Sequence, residues 1–179
     1  KKNKTKGIAI NGIPIKKASQ LFGIANVVFF SPEDLNIIKN GPGERRRFLD
    51  LELCQLDKLY VHGLIHYNKI VLQRNRLLKD LAFHPEYEAT LDVWDEQLVS
   101  YGQQVMEHRS RFIRQLNEII GQIHRDLTGG REELVICYEP NTAPGSLGDV
   151  LKRGREQDKK QKTTLNGPHR DDMSFLING

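Results

Sequence analysis

The chain has 179 residues, of which 38% are hydrophobic and 28% charged, and its net charge is only +4. That apolar supply is lean for one compact core and suits an elongated, largely helical body with much surface. No apolar run approaches the ~18–20 residues that span a bilayer, and the opening stretch lacks a signal-peptide core, so a cytoplasmic protein with no membrane partner is expected. Cys54 and Cys137 form no CxxC pair and sit among apolar neighbours, the pattern of buried, reduced thiols. The basic residues bunch at Lys1–Lys6, Arg45–Arg47 and Lys152–Lys162, runs whose ordinary setting is a solvated face.

In chain order, Gly7–Ile15 reads as a β-hairpin, with alternating isoleucines on either side of an Asn11-Gly12 turn. A short helix over Lys16–Phe22 is predicted next, stopped by Gly23. Val27–Phe30 is a continuous apolar run, the pattern of a strand buried on both faces. Ser31-Pro32-Glu33-Asp34 has the form of a helix start, with Ser at the N-cap, Pro in the first turn and acids near the positive end of the dipole. Asn40-Gly41-Pro42-Gly43 interrupts that helix, and Glu44 opens another that runs to about Gln55. Asp57 caps a third helix reaching roughly Leu81, whose apolar stripe is Tyr60, Leu64, Tyr67, Val71 and Leu78.

Thr90 is the predicted cap of the longest helix, Leu91–Leu127. Its stripe runs Leu91, Trp94, Leu98, Val105, Phe112, Leu116, Ile120, Ile123, Leu127, in the steps of a helix that pairs with another helix. The Asp57–Leu81 helix is the expected partner, making an antiparallel arm across the His84-Pro85-Glu86 turn. Gly129-Gly130 ends it. Leu134–Tyr138 alternates as a strand, Pro140–Pro144 is a loop, and Gly145–Lys162 is either a polar helix or partly disordered. Met173–Ile177 reads as a final strand before an Asn178-Gly179 turn signal. A chain that opens on Lys1 and closes on a turn tip gives the expectation of an internal piece of a longer protein.

Three constellations could carry chemistry. His62 and His66 are four apart on a predicted helix, the spacing of half a zinc site. Gly63 stands where the metalloprotease motif needs Glu and no third ligand is evident, so no metal site is expected. Gly41-Pro42-Gly43-Glu44-Arg45-Arg46-Arg47 is a Gly-rich helix start followed by arginines. It lacks the Gly-Lys-Ser/Thr of a P-loop, which leaves an ion-pair network with Asp50, Glu52 or Asp34, or a phosphate-facing arginine patch. Gly167-Pro168-His169-Arg170-Asp171-Asp172 concentrates titratable groups in a loop just before a strand, a common site of function in α/β proteins. In extended chain its two carboxylates point to opposite sides, which argues against a two-acid catalytic pair.

These runs, in this order, resemble the bacterial RecF-type DNA repair ATPases. Pro32-Glu33-Asp34-Leu35-Asn36-Ile37-Ile38 through Pro42 and Glu44-Arg45-Arg46-Arg47-Phe48-Leu49-Asp50 is similar to the family's first signature. Gly167-Pro168-His169-Arg170-Asp171-Asp172 is similar to its second, with Gln73–Lys79 and Trp94–Leu98 resembling the helical region between. The resemblance implies an ABC/SMC-like ATPase head with an inserted helical lobe, which binds DNA at gaps and single-strand/double-strand junctions. It also implies an ATP-dependent homodimer using ATP and Mg, with RecO and RecR as partners in recombinational repair and replication-fork maintenance. No GxxxxGK[ST] loop, Ser-Gly-Gly/Gln signature or Walker B acid occurs here; in the family these would precede Lys1 and follow Gly179.

The expected fold class is therefore mostly α with flanking β (α+β). Residues 1–30 would end the first part of the head, 31–130 would form the lobe and arm, and 131–179 would return to the head. On the family's pattern Ser31, Glu33, Asp34, His169, Arg170, Asp171 and Asp172 are candidates for coupling to nucleotide, and Arg45, Arg46 and Arg47 for contacting DNA. No complete catalytic set, no metal site and no bound cofactor are expected in this chain. A rival reading is a coiled-coil interaction module of another SMC-like protein. A metal-dependent nuclease or phosphatase on His169, Asp171 and Asp172 is a third.

Overall fold

A computed structural model describes residues 7–24, 26–29 and 31–179. The Lys1–Lys6 cluster and Phe30 lie outside the described residues. The hairpin forms as expected: β1 (Ile8–Ile10) pairs antiparallel with β2 (Ile13–Ile15). Asn11 (φ 49°) and Gly12 (φ 82°) both take the positive φ of the turn that matches strand twist. The predicted Lys16–Phe22 helix is only a 3-10 turn, Ala18–Leu21. With Gly23 left-handed at φ 70°, the segment is too short to repay helix nucleation.

Of the buried strand expected at Val27–Phe30, the described residues Val27–Phe29 form none. Val27, Val28 and Phe29 lie 65%, 84% and 79% exposed without a paired strand. The Val27 N–H donates instead to the Gln55 side chain. An apolar run specifies a preference for burial, but a strand exists only where a neighbour completes its hydrogen bonds, and the described residues supply none.

Ser31 does stand at a helix start, with its N–H donating to Asp34 Oδ2 at 2.8 Å. A 3-10 turn (Pro32–Leu35) leads into α1 (Asn36–Lys39). Helix α2 spans Pro42–Leu56, two residues earlier than expected, because Pro42 takes the first helical position behind Gly41. Asp57 then accepts from the N–H groups of Leu59 and Tyr60 and starts α3 (Lys58–Asp80). Thr90 does not cap the long helix α4 (Leu91–Thr128). A 3-10 turn, Pro85–Thr90, runs straight into it, and the Thr90 hydroxyl donates back to the Tyr87 carbonyl. Gly129 closes α4 at φ 64°.

Helices α3 and α4 pair closely, and Tyr60, Tyr67, Ile70, Leu78, Leu91, Leu98, Val105 and Ile113 fill the seam. With 38 residues α4 is about 57 Å long, whereas the 23 residues of α3 reach about 35 Å. The end of α4 therefore outruns its partner. Phe112, Leu116 and Ile120 are half-buried against the core, but Ile123 and Leu127 are exposed, so the last turns of the predicted stripe are not covered.

Strand β3 (Leu134–Glu139) lies along α4 and pairs antiparallel with β4 (Asp172–Ile177) in the register Leu134–Ile177 to Glu139–Asp172. Asn117 of α4 fastens this ribbon, donating to the Ile136 carbonyl and accepting from its N–H. The undecided segment is a helix, α5 (Leu147–Gln161), with Leu147 and Leu151 fully buried. Gly102 of α4 makes room for it: a Cβ there would meet Leu147 Cδ2 at 2.7 Å and the Tyr67 ring at 3.2 Å. The α3–α4 pair is consequently flanked by α2 and α5 as part of a bundle. No helix among the described residues is long and apolar enough to cross a membrane.

Candidate functional site

The loop 167–172 is where the elements converge. Gly167 has φ 130°, and a Cβ there would sit 2.5 Å from the Tyr67 hydroxyl, so the close turn requires glycine. That turn seats His169 against α3. The Tyr67 hydroxyl donates to His169 Nδ1 at 2.6 Å, and Nε2 faces the Thr164 carbonyl at 3.0 Å. A carbonyl can only accept, so the proton sits on Nε2 and the ring is neutral. Burial keeps His169 below the ordinary imidazole range.

Asp171 and Asp172 point to opposite sides, as the extended chain predicts. Asp171 is buried and accepts from Arg109 Nη1 (3.0 Å), the Asn141 N–H (2.8 Å) and the Tyr138 hydroxyl. Arg109, itself buried in α4, also reaches the Pro168 carbonyl, the Tyr60 hydroxyl and Asp50 at 2.7–3.0 Å. The Tyr60 hydroxyl donates to that same Asp50. Desolvation raises the Tyr60 and Tyr138 phenols well above their usual range, so both remain protonated donors. Asp172 grips Arg45 through two bonds, Nε to Oδ1 at 2.7 Å and Nη2 to Oδ2 at 2.9 Å. The guanidinium holds the Asp172 carboxyl below the usual carboxylate range.

These partners differ from the ones read off the sequence. Arg45 and Arg46 do not pair with Asp34, Asp50 or Glu52. Arg45 takes Asp172 and the Asn40 carbonyl, and Arg46 donates to the Asp171 carbonyl at 2.7 Å. Asp34 is occupied by Ser31 N–H, and Asp50 by Arg109 and Tyr60. Spacing along one helix cannot reveal a partner more than a hundred residues on. Arg47 is exposed, and no polar partner for it is found among the described residues. Arg170 is exposed as well.

Ser31, Glu33 and Asp34 make no hydrogen bond or ion pair to the 167–172 loop among the described residues. The Ser31 hydroxyl lowers the Glu33 carboxyl pKa. Downstream of them, Arg45 Nη1 reaches the Ile37 and Asn40 carbonyls while its other edge holds Asp172.

Beside this junction, a cleft of about 390 Å³ opens between α2 and α3, with Arg109, His169, Arg46 and Arg47 in its lining. His62 and His66 lie elsewhere, on the face of α3 beside Tyr101, against which His66 stacks at 5.1 Å. No group of three potential metal ligands forms among the described residues.

Sequence reasoning missed the two buried arginines that organise the molecule. Arg74 is fully buried and binds Asp95 (2.6 Å), Asp158 (2.7 Å) and Thr164 Oγ1 (2.9 Å), tying α3, α4 and α5 together. Arg155 adds a second hold on Asp95. A signal existed: Arg74 falls in the Tyr60–Tyr67–Val71–Leu78 stripe, and Arg109 in the Leu98–Val105–Phe112 stripe. A charge at an apolar-stripe position must be paired, and this is the mark of a buried network.

No family model matches the chain. It is 58% identical over 180 residues to the DNA replication and repair protein RecF of Lachnospira eligens, covering 99% of this chain and 50% of that one. The RecF of Agathobacter rectalis is likewise 58% identical, with 100% of this chain and 49% of the relative covered. A solved structure described as the recombination mediator protein RecF–ATP in the RecFOR pathway superposes with a TM-score of 0.89 at 33% identity, over 99% of this chain and 50% of its own. The chain thus spans about half the length of the curated relatives it matches.

Proposed function

Since the chain belongs to the RecF family along its whole length, we propose that it forms the helical lobe and adjoining head edge of a DNA-binding, ATP-dependent recombination mediator. In this reading the whole protein acts in recombinational repair and replication-fork maintenance, with RecO and RecR, as a homodimer closed around ATP and Mg. This chain engages DNA and relays the nucleotide state, and hydrolyses nothing itself, since it lacks a phosphate loop and a Walker B acid.

The observation that carries the reading is the weld between the arginine run and the loop before β4. Arg45 holds the Asp172 carboxylate and Arg46 the Asp171 carbonyl, while Arg47 on the same helix turns out to solvent. A shift of the loop must therefore move α2 and with it the outward Arg47. Arg47 is the DNA-contact residue in this account, and Arg45 and Arg46 set its position. His169 orients the loop through Tyr67, and Ser31, Glu33 and Asp34 join it through the short helix after them, whose Ile37 and Asn40 carbonyls Arg45 holds.

Single Arg→Ala variants at 45, 46 and 47 test the division, each measured for melting and for duplex DNA binding against salt. Loss of Arg47 should weaken binding to all sequences and lower the salt slope by about one, with melting unchanged. Loss of Arg45 or Arg46 should lower the melting temperature. An unchanged salt slope in all three removes this cluster as a DNA contact.

The coiled-coil rival draws on one observation, the exposed Ile119, Ile123 and Leu127 beyond the end of α3. The nuclease reading has no such support, because both carboxylates of the loop are engaged by arginines on opposite sides.

A further inference from the structure

Helix α2 presents Gly43, Arg46, Arg47, Asp50, Leu51 and Cys54 on one face, at intervals of three and four, and that face forms a wall of the 390 Å³ cleft. Leu64, Tyr67 and Asn68 of α3 form the opposite wall. The volume falls within the roughly 300–1,000 Å³ of small-ligand sites. The lining divides in two. One part is apolar, made by Leu51, Cys54, Leu64 and the Tyr67 ring; burial pushes the Cys54 thiol up to about 11, so it stays neutral. One side is cationic.

The charges do not balance there. Asp50 is the one carboxylate lining the cleft among the described residues, and it is bound by Arg109 and Tyr60. Arg46 spends one nitrogen on the Asp171 carbonyl, a neutral acceptor, and its other nitrogens have no partner among the described residues. Burial and the nearby Arg109 charge lower the Arg46 pKa, a strain that an anion would relieve. Among the described residues neither Arg47 nor the Asn68 side chain has a polar partner. Two arginine forks beside an apolar slot fit a phosphate joined to a flat apolar ring. A bare phosphate would leave the slot empty.

We propose that the cleft between α2 and α3 binds one nucleotide unit, its phosphate on Arg46 and Arg47 and its base against Leu51, Leu64 and Tyr67. The unit is either a free nucleotide or one residue of a single strand. With Asp50, its one carboxylate among the described residues, already engaged, the described lining offers no magnesium ligand set, and the cleft binds without hydrolysing. The proposal rests on the DNA-engaging role argued above and narrows it to one site.

Calorimetry on the 179-residue chain, with deoxyadenosine monophosphate, deoxyadenosine, inorganic phosphate and a short unpaired oligonucleotide as probes, tests it. The monophosphate should bind about tenfold tighter than either of its parts. Arg47→Ala should weaken it by about tenfold, while Arg76→Ala, an equal loss of charge on the exposed face of α3, should change nothing. Asn68→Trp, which fills the cleft and keeps every arginine, should abolish monophosphate binding and leave duplex binding and its salt slope intact. Binding of the oligonucleotide alone, lost in the same variants, places the unit within a strand and upholds the site. Equal affinity for monophosphate and inorganic phosphate, or equal effects of the two arginine variants, overturns it. So does silence of both nucleotide probes in a chain that still binds duplex DNA; failure to bind any DNA would instead sink the broader reading.

Discussion

Arg74 lies toward the end of α3 and Arg109 near the middle of α4, and the two do different work. Each is buried, each gathers two aspartates, and each reaches from the α3–α4 seam to a third element. Around Arg74 the network is closed: its acceptors lie on α4, on α5 and in the turn after α5, and its Nη2 is left buried without a partner. Around Arg109 every guanidinium nitrogen is bonded, and one flank looks onto the cleft. The first arginine fastens helices. The second fastens the loop before β4 and shapes a surface that a ligand can reach. Burial of a charge thus reports that a junction exists, and the openness of its surroundings decides whether the junction can also bind.

Removing either arginine should have the largest effect. Arg109→Ala leaves Asp171 and Asp50 short of a partner and should cost about 3–5 kcal/mol in chemical unfolding, with Arg74→Ala in the same range. The comparison sharpens with Arg→Met. If the unpartnered Nη2 makes Arg74 the poorer bargain, Arg74→Met should recover more stability than Arg109→Met. Equal recovery would remove the distinction between a closed and an open junction.

Next in size is the seam that both arginines interrupt. Leu98 is fully buried and should cost roughly 2–5 kcal/mol on truncation to Ala, whereas half-buried Leu116 should cost less. Exposed Glu107 and Arg114 on the same helix should stay within about 0.5 kcal/mol. Similar melting shifts for the two classes would contradict the pairing of α3 and α4.

A smaller effect separates the loop from the rest by pH. Burial depresses the His169 pKa, so the unfolded chain takes up its proton first. The stability from neutral His169 is complete above the unfolded value, about 6.5, and is lost as pH falls below it. His169→Phe should flatten that acid slope in melting measurements. Arg45→Ala should lower stability by about 1–2 kcal/mol through loss of the two-pronged hold on Asp172, and the loss should shrink as Asp172 is protonated.

What the sequence made legible was periodic or punctuated. The Asn11-Gly12 turn, the Asp57 cap, the α3 and α4 stripes and the Gly129 stop each follow from local rules that need no knowledge of distant residues. The opposite facing of Asp171 and Asp172 followed from strand geometry alone. The strand expected at Val27–Phe30 does not form over its described residues, Val27–Phe29, because strandhood depends on a neighbour, and the Thr90 cap failed because a preceding 3-10 turn had already begun the helix. The partners of Arg45 and Arg46 were hidden by distance along the chain, 127 and 125 residues from Asp172 and Asp171. The cleft was half legible: the run Gly43, Arg46, Arg47, Asp50 is visible at helical spacing, but its second wall belongs to another helix.

The length of α4 has a mechanical meaning. One uninterrupted rod of about 57 Å lies along the β3–β4 ribbon near one end and carries the Asp95 junction near the other. A rod so anchored works as a lever: a tilt of about 5° at the ribbon sweeps the far tip by about 5 Å, close to one helical turn. Arg109 sits near the middle of that rod, so the same tilt at the ribbon carries it, and the cleft beside it, only about half as far as the tip.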